Sequence, residues 1–409
     1  MSGERDPDFD AWVDDARAVT VAEVVAQRGI RLGKGAVERV GPCPVCGGTD
    51  RFGINTRKNV FFCRGAGQGG DAIALVQYLD GADFLGACET LTGRAPLRGE
   101  GTRASPEELA ARIEARRAKE AKREAISDKH REHERKALYA MWRGARVAAF
   151  SPVQDYLDLR GLALPRGAGL RFLPDAPYFH GREDDGRGRT CPRVIHSGPA
   201  MLAPITDADG VFRGLHCTWL DLDQPKGKAV IADPETGEVL AAKKVRGSKQ
   251  GGRILLVKAP LGAPEWQIAG EGIETVLAVW WALVATGADL RNIEFVSGID
   301  LGNLSGRATE TVPHPTATRT DVQGRVSTCK VPGPVPDMDS PAMCVPPEIK
   351  RLTLLGDGDS DPFTTLCAME RARARHAARV PEVAVAWPPE GMDFNDMLRP
   401  AARTEGEAA

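Results

Sequence analysis

Gln267-Ile-Ala-Gly-Glu-Gly-Ile-Glu274 and Leu352-Thr-Leu-Leu-Gly-Asp-Gly-Asp-Ser-Asp361 are the two stretches that decide the fold of this chain. Each is a short apolar run that breaks at glycine and ends in carboxylates. Strand and helix patterns alternate through residues 265–398, which predicts a parallel sheet flanked by helices. Acidic side chains at the carboxyl ends of such strands lie where an open α/β sheet forms its ligand crevice. Clustered carboxylates there predict a site for a hard divalent cation and a phosphate-bearing substrate.

Composition narrows the class of protein. The chain has 409 residues, of which 42% are hydrophobic and 27% charged, and this length can hold roughly two to four domains. The nine scattered cysteines are typical of reduced thiols in a cytoplasm. No stretch is apolar enough to span a membrane, and the polar N-terminus does not resemble a secretory signal. The net charge is −2, so the chain as a whole does not attract polyanions. A polyanion such as nucleic acid would have to be bound by local basic patches and bound metal.

Shifts in composition divide the chain into five segments. We expect an α/β multidomain protein in which an N-terminal ribbon domain (1–98) leads into a charged helical linker (99–147). A mixed α+β basic subdomain (148–262) and the parallel α/β sheet (263–400) follow, with a disordered tail at 401–409. A stretch rich in Pro, Thr, Ser and Gly at about 303–346 is too long for an ordinary connection and is interpreted as a mobile inserted loop.

Three cysteines have the spacing of a zinc ribbon. Cys43-Pro-Val-Cys46 is followed by Cys63, and tetrahedral Zn²⁺ takes four nitrogen or sulfur ligands. The position where a fourth ligand is expected is occupied by Ala66. Asp50, Cys88 or water could complete the site, or the ribbon could fold without metal.

The predicted ribbon also alternates cations with aromatic residues. Aromatic rings stack on unpaired bases and guanidinium groups hold phosphates, so this pattern indicates a surface that binds single-stranded nucleic acid. The candidate contacts are Arg51, Phe52, Lys58, Phe61 and Arg64.

These motifs together resemble bacterial and phage DNA primases. The ribbon has the form Cys-Pro-x-Cys…Phe-x-Cys-Arg-Gly, and the later Glu-Gly-x-Glu and Asp-x-Asp motifs resemble those of the Toprim fold. Tyr156-Leu-Asp-Leu-Arg-Gly161 and Lys243-Lys-Val-Arg-Gly247 resemble the phage and plasmid members. Ala66 and the insertion at 303–346 depart from the family's pattern.

The resemblance implies a DNA-directed RNA polymerase, a nucleotidyltransferase that makes RNA primers on single-stranded DNA from nucleoside triphosphates. Two Mg²⁺ or Mn²⁺ ions held by carboxylates would support this chemistry. Glu271, Asp357 and Asp359 would be catalytic and would bind the metal, with Asp361 and Asp393 as further ligands. Glu274 could assist them, or it could instead cap a helix or form a salt bridge.

Cations should face these carboxylates to hold triphosphates or the template. A glycine-rich basic segment precedes the predicted sheet, and Lys244 and Arg246 are its main candidates for binding phosphates. The sequence contains no Gly-x4-Gly-Lys-[Ser/Thr] motif, so any helicase partner would be a separate polypeptide.

Two other functions remain open. One is a Toprim-type nuclease or a zinc-bearing recombination or repair factor, and the other is a non-catalytic DNA-binding protein of replication. No tyrosine lies near the carboxylate motifs in the sequence, which argues against a topoisomerase because that enzyme needs one as its nucleophile.

Overall fold

The computed structural model describes residues 7–33, 35, 37–64, 66–95, 114, 125, 128–184, 186, 190–320, 326–358 and 360–398. Asp359, most of the first part of the predicted linker and the 401–409 tail lie outside these described residues. Contacts divide the chain into two compact units. No helix among the described residues has the length and apolar character needed to cross a membrane.

The first unit combines an antiparallel sheet with four short helices. Its elements are α1 (Pro7–Ala18), α2 (Val21–Gln27), β1 (Glu38–Cys43), β2 (Gly47–Asn55), β3 (Val60–Cys63), β4 (Gln68–Gly70), α3 (Ala72–Asp80) and α4 (Phe84–Thr92). The strands lie in the order β1-β2-β3-β4. Because side chains alternate between the faces of a strand, Phe52, Ile54 and Phe61 share the buried face and pack with the helices.

The second unit begins with the charged helix and an antiparallel sheet. The described part of the predicted linker helix is α5, residues 128–144. It is followed by β5 (Arg146–Val147), α6 (Pro152–Leu159), β6 (Arg171–Asp184), β7 (Thr190–Thr206), β8 (Phe212–Trp219), β9 (Ile231–Ala232), β10 (Val239–Leu240) and β11 (Lys243–Gly247). Five of these strands form one sheet in the order β11-β8-β7-β6-β5, while β9 and β10 form a separate pair.

A second sheet carries the carboxylate motifs. Its part of the chain runs through β12 (Ile254–Val257), β13 (Trp266–Gly270), α7 (Ile273–Ala285), β14 (Ile293–Ser297), α8 (Leu301–Ser305), β17 (Arg351–Leu355), α9 (Pro362–Ala377) and β18 (Glu382–Ala386). Between α8 and β17 the chain also forms the hairpin of β15 (Thr311–Thr320) and β16 (Val326–Pro332), most of which belongs to the first unit. The sheet order is β12-β14-β13-β17-β18. All neighbouring pairs are parallel except β12 with β14.

The order of this sheet fixes where a ligand can bind. From β13 the chain moves outward to β14, and it then returns to the other side of β13 to add β17 and β18. The direction of winding therefore reverses between β13 and β17. In open α/β sheets the ligand crevice lies at this switch point, beyond the carboxyl ends of the strands.

The insertion at 303–346 is not the loop that the sequence suggested. Its described residues include the hairpin of β15 and β16. Two buried arginines of α9 hold the segments on either side of the hairpin. Arg371 donates to the carbonyl oxygens of Gly306 and Gly333, and Arg375 donates to that of Ser340. Guanidinium groups that bind several carbonyl oxygens fix these segments to α9.

The predicted multidomain α/β architecture is confirmed. The alternation of strands and helices predicted over 265–398 corresponds to β13, α7, β14, β17, α9 and β18.

A buried histidine of α9 should make the folded state less stable in acid. His376 is buried, and neither of its ring nitrogens has a hydrogen-bond partner in the part of the chain that the structure describes. Burial, aided by Arg379 and Arg375, lowers the pKa of His376 from 6.5 to about 4. The folded state therefore keeps this ring neutral at a pH where the unfolded chain would protonate it.

We expect stability to be complete above about pH 6.5 and to fall as the pH approaches 4, by about 3 kcal/mol from this group. Urea unfolding at pH 7.5 and pH 4.5 would measure the loss. His376→Leu should reduce the difference between the two pH values, while His130→Leu on the exposed surface of α5 should not. An unchanged difference in the His376 variant would contradict the assignment.

Candidate functional site

A cavity of about 460 Å³ lies at the switch point of the second sheet. Its acidic lining comes from loops that follow three parallel strands. Glu271 follows β13, Asp300 follows β14 and Asp357 follows β17. Asp393, in the loop after β18, lines the same cavity. The structure thus brings together three of the predicted ligands, Glu271, Asp357 and Asp393, although they lie far apart in the sequence.

The carboxylates are held by local hydrogen bonds. Ser360 donates its hydroxyl to Asp357 at 2.7 Å. Asp393 accepts from the backbone nitrogen of Asp396 at 2.6 Å, and its own nitrogen donates to the Asp396 carboxylate at 3.2 Å. Asp393 is therefore the cap of the short helix Asp396–Leu398, and this capping fixes its position on the cavity wall.

The carboxylate oxygens that line the cavity suit a hard divalent ion. Carboxylate oxygens are the protein ligands that Mg²⁺ prefers, and Mg²⁺ keeps several of its waters, so the carboxylates need not touch one another. Among the described residues, which exclude Asp359, no three carboxylates gather as closely as the thiols of the ribbon do. The residues present fit a hydrated ion better than an ion enclosed by protein.

Asp361 does not line the cavity. It is the N-cap of α9 and accepts from the backbone nitrogen of Thr364 at 2.8 Å. An aspartate at an N-cap satisfies a backbone donor that has no partner within the helix. The structure therefore gives Asp361 a capping role in place of the predicted place among the metal ligands.

Basic residues line the same cavity. Lys226, Lys228, Lys243, Lys244 and Arg160 all line the cavity. Arg160 is buried, and its Nε atom has no hydrogen-bond partner among the described residues. A buried guanidinium nitrogen without a partner is costly unless a ligand meets it.

Glu274 organises these cations. It is buried, and it accepts from the Tyr156 hydroxyl at 2.5 Å. Its carboxylate lies 2.8 Å from the amine of Lys228 and 3.7 Å from that of Lys243. Burial alone would raise the pKa of Glu274, but the two lysines and Tyr156 outweigh it and hold that pKa well below its usual range. Of the roles open to Glu274, the structure shows the salt bridge.

The two residues predicted to bind phosphate, Lys244 and Arg246, lie in different places. The Lys244 amine donates to the Phe179 carbonyl oxygen and sits 4.1 Å from the centre of the Tyr178 ring. The Arg246 guanidinium lies 4.8 Å from the Phe179 ring and lines a neighbouring groove, not this cavity. The structure therefore does not bring Arg246 to the carboxylates.

Asp300 is a site residue that the sequence analysis missed. It forms an ion pair with Lys249 and caps α8 by accepting from the nitrogen of Asn303 at 2.8 Å. The preceding residue, Ile299, has a φ of 80°. A positive φ is strained for a β-branched residue, and such strain is concentrated at functional sites. The signal was present, since Asp300 follows an apolar run just as Glu271 and Asp357 do.

Glycines allow two loops of the site to pack closely. A Cβ atom on Gly358 would lie 2.1 Å from the carbonyl oxygen of Met392, and one on Gly356 would lie 2.3 Å from the Trp387 ring. Only residues without a side chain fit at this spacing. The loop that carries Asp357 is thereby held against the loop that carries Asp393.

Gly358→Ala should accordingly lower the free energy of unfolding by about 1–3 kcal/mol, because the backbone of one loop must move away from the other. Thermal or urea unfolding measures this loss. Gly144→Ala is the matched control, since a Cβ atom there meets nothing within 4 Å. Equal stability of the two variants would show that the loops are not closely packed.

The three predicted zinc ligands are gathered in the first unit. The sulfur atoms of Cys43, Cys46 and Cys63 all lie within 4.8 Å of one another. The backbone nitrogens of Val45 and Cys46 each donate to the Cys43 sulfur at 3.4 Å. Three thiols in this arrangement, two of them from a Cys-x2-Cys turn, fit Zn²⁺ by donor type and geometry.

Comparison with known proteins assigns this part of the chain. Residues 11–104 match the family described as CHC2 zinc finger. They form a CHC2-type zinc ribbon. Residues 132–256 match a domain of unknown function, DUF7146.

A DNA primase of Halalkalibacterium halodurans is 32% identical over 80 residues, which is 19% of this chain and 13% of that protein. The chain therefore matches only a small part of the length of this curated relative. The match agrees with the CHC2 assignment, and the resemblance to primases inferred from the sequence is confirmed.

Two solved structures show weaker likeness. The zinc-binding and RNA polymerase domains of the Aquifex aeolicus primase align over 96% of this chain and 82% of that chain, with 16% identity and a TM-score of 0.33. A DNA primase domain from Pseudomonas aeruginosa aligns over 65% of this chain and 74% of that one, with 18% identity and a TM-score of 0.35.

Two predicted contacts of the CHC2-type ribbon must be corrected. Phe52 and Phe61 are buried in its core, so they have no free face on which a base could stack. The strand register explains the error, because Phe52 and Phe61 lie on the inner face whereas Phe62 lies opposite Gly53 on the outer one.

The cations of the ribbon remain at its surface. Arg51, Lys58 and Arg64 are exposed. Phe62 is half-buried, and the Arg64 guanidinium lies 5.7 Å from the centre of its ring. Phe62 is therefore the aromatic residue that shares a face with Arg51 and Arg64.

Proposed function

We propose that the protein is a DNA primase that synthesises short RNA primers on single-stranded DNA. One observation carries the proposal. Carboxylates at the ends of β13 and β17 line one cavity together with four lysines, on a chain that also has a CHC2-type ribbon. Joining nucleotides requires both kinds of group, because triphosphates need cations around them and the divalent ions that accompany them need oxygen ligands.

We assign the metal-binding role to Glu271 and Asp357, together with Asp393 and with Asp359, which lies outside the described residues. Two divalent ions, when bound there, would lower the pKa of the attacking 3′-hydroxyl and neutralise charge on the reacting phosphate. The residues themselves set the position of the site. Glu271 and Asp357 follow adjacent parallel strands within two residues, so the sheet fixes where they emerge.

The basic residues of the cavity would bind the triphosphate and the template backbone. Lys228 and Lys243 offer ammonium groups that Glu274 holds in place, and Arg160 is a further cation that lines the cavity. Burial lowers the pKa of His216, which also lines the cavity, to about 4, and the charge of Lys243 contributes. His216 is therefore neutral near pH 7 and adds no charge to the cavity.

The CHC2-type ribbon would hold the unpaired template. Phe62 can stack on a base while Arg51, Lys58 and Arg64 pair with phosphates. Substituting these cations should weaken binding at all template sequences alike, since phosphate contacts carry no base information.

The domain boundaries, the type of primase, the helicase partner and the location in the cell are also proposals. We place residues 1–98 as the ribbon domain, 99–147 as the linker, 148–262 as the basic subdomain and 263–400 as a Toprim catalytic domain. The phage and plasmid primases are the type that the chain resembles. A separate helicase would supply single-stranded template, and the protein would act in the cytoplasm, where DNA and nucleotides are present.

A priming assay tests the proposal. The full chain is incubated with single-stranded DNA, labelled ribonucleotides and Mg²⁺ or Mn²⁺, and the products are separated on a denaturing gel. We expect short, template-dependent products that alkali degrades. Cleavage of the DNA without nucleotides would instead indicate the nuclease, and DNA binding with neither product would indicate a non-catalytic replication protein.

A further inference from the structure

The candidate zinc site of the ribbon offers three thiols, whereas a structural zinc site needs four ligands. The sulfur atoms of Cys46 and Cys63 lie 3.4 Å apart, and those of Cys63 and Cys43 lie 3.6 Å apart. The usual position of the fourth ligand holds Ala66, whose methyl group cannot bind a metal.

Neither protein residue considered from the sequence is shown at the cluster. Cys88 is buried in the first unit, but its sulfur is not part of the thiol group found among the described residues. The side chain of Asp50 lies outside what the structure describes. A fourth donor among the described residues would therefore come from another part of the first unit.

Tyr78 supplies such a donor. Its hydroxyl oxygen lies 3.0 Å from the Cys43 sulfur. Tyr78 belongs to α3, the helix that follows the ribbon. Its ring stacks on that of Phe61, with centroids 5.4 Å apart and planes inclined by 26°. Because Phe61 is part of the buried core, this stacking fixes the direction in which the phenol points.

Three of the six separations among these four atoms are close to those of a coordination tetrahedron. Zinc–sulfur bonds of about 2.3 Å at tetrahedral angles place two sulfurs about 3.8 Å apart, and a zinc-bound oxygen about 3.5 Å from a sulfur. The measured separations of 3.4, 3.6 and 3.0 Å are each shorter by a few tenths of an ångström. A small outward movement of the same four atoms would admit the ion.

We propose that the Tyr78 oxygen is the fourth ligand of a zinc ion held by Cys43, Cys46 and Cys63. Zinc would then join α3 to the ribbon, whereas a ligand at position 66 would close the site within the ribbon itself. Binding releases the protons of the three thiols and of the phenol to the solvent. The inference concerns the metal site alone and does not depend on priming activity.

Zinc binding by the full chain tests the inference. The affinity is measured by competition with a chromophoric chelator, and metal content is measured by mass spectrometry. Tyr78→Phe keeps the ring and its stacking but removes the oxygen, so we expect zinc affinity to fall by at least about tenfold. Tyr139→Phe, which removes a hydroxyl from α5, is the matched control and should bind zinc as the unmodified chain does.

Cobalt substitution and a rescue variant sharpen the result. The visible spectrum of the Co²⁺ protein should show strong tetrahedral bands, and Tyr78→Phe should shift and weaken them. Adding Ala66→Cys to Tyr78→Phe should restore the affinity, because a thiolate then occupies the ribbon's own fourth position. Unchanged affinity and spectrum in Tyr78→Phe, or an unmodified chain that binds no zinc, would overturn the proposal.

Discussion

Asp357→Asn should abolish primer synthesis while the chain stays folded. Asparagine has nearly the same shape as aspartate but lacks the charge that attracts a divalent ion. Loss of a residue that only orients a metal ligand commonly costs about 10- to 100-fold, so loss of a ligand should cost more than about 100-fold. Glu271→Gln should have a similar effect, because Glu271 occupies the adjacent strand end on the same cavity. Primer yield per enzyme, measured on one template, gives the comparison.

Asp361→Asn provides the matched control. Asp361 caps α9 and does not line the cavity, and asparagine is as good an N-cap as aspartate. This variant should therefore keep both its thermal stability and its priming activity. The assignment fails if Asp361→Asn is as inactive as Asp357→Asn, or if Asp357→Asn keeps most of the activity.

A titration of Mn²⁺ separates metal binding from other roles of the carboxylate. Variants of true ligands should need more Mn²⁺ for half-maximal priming, and excess metal should recover part of the activity. A variant that affects only the fold would show a changed unfolding curve and an unchanged metal requirement.

The acidic half of the site was predictable from the sequence because it follows from a local rule. Glu271 and Asp357 each end an apolar run followed by a helical pattern, and parallel strands bring their carboxyl ends to one edge. The same rule applies to Asp300, which follows β14. Asp300 could therefore have been predicted as a site residue in the same way. Asp361 follows the same strand as Asp357, but it lies four residues further along the chain, where it caps the next helix.

The basic half was only partly predictable because it depends on contacts between distant residues. Lys228, Lys243 and Glu274 meet only after two sheets have formed, and no local pattern pairs them. Lys243, Lys244 and Arg246 are all cations of β11, yet Lys243 and Lys244 line the cavity and Arg246 does not. Which face of a strand is buried depends on its register with neighbouring strands.

The ribbon shows the same limit on a smaller scale. Phe61 and Phe62 are adjacent and chemically identical, so composition cannot say which of them is buried. The pairing of Phe62 with Gly53 places it on the outer face, where its ring covers the glycine. Tyr78 lies on a helix beyond the ribbon, and ligand spacing in the sequence gave no reason to consider it.

Glu274→Gln should destabilise the second unit by about 3 kcal/mol. Removing one partner of a buried ion pair leaves the other charge uncompensated, and this usually costs more than the pair contributed. Here two amines, of Lys228 and Lys243, would lose their shared carboxylate. Glu274 is the main reason that the pKa of Lys243 is raised, so its removal takes away the charge that most favours the protonated amine. Urea unfolding of the full chain measures the change.

Glu265→Gln is the matched control for charge removal. Glu265 pairs with Lys350 at 2.5 Å, but both side chains are more than half exposed. Exposed ion pairs contribute about 0–1 kcal/mol, so this variant should unfold almost as the unmodified chain does. Lys228→Met combined with Glu274→Gln should recover part of the lost stability, since one of the two uncompensated amines is then absent.

Catalysis distinguishes an organising role of Glu274 from metal binding. If Glu274 positions the basic residues of the cavity, Glu274→Gln should raise the KM for nucleotides and leave the Mn²⁺ requirement close to that of the unmodified chain. A Mn²⁺ requirement raised as far as in Glu271→Gln would make Glu274 a metal ligand. Stability equal to that of Glu265→Gln would show that the two lysines do not depend on it. The salt bridges predict the first result, because Glu274 already has two cations and a hydroxyl group as partners.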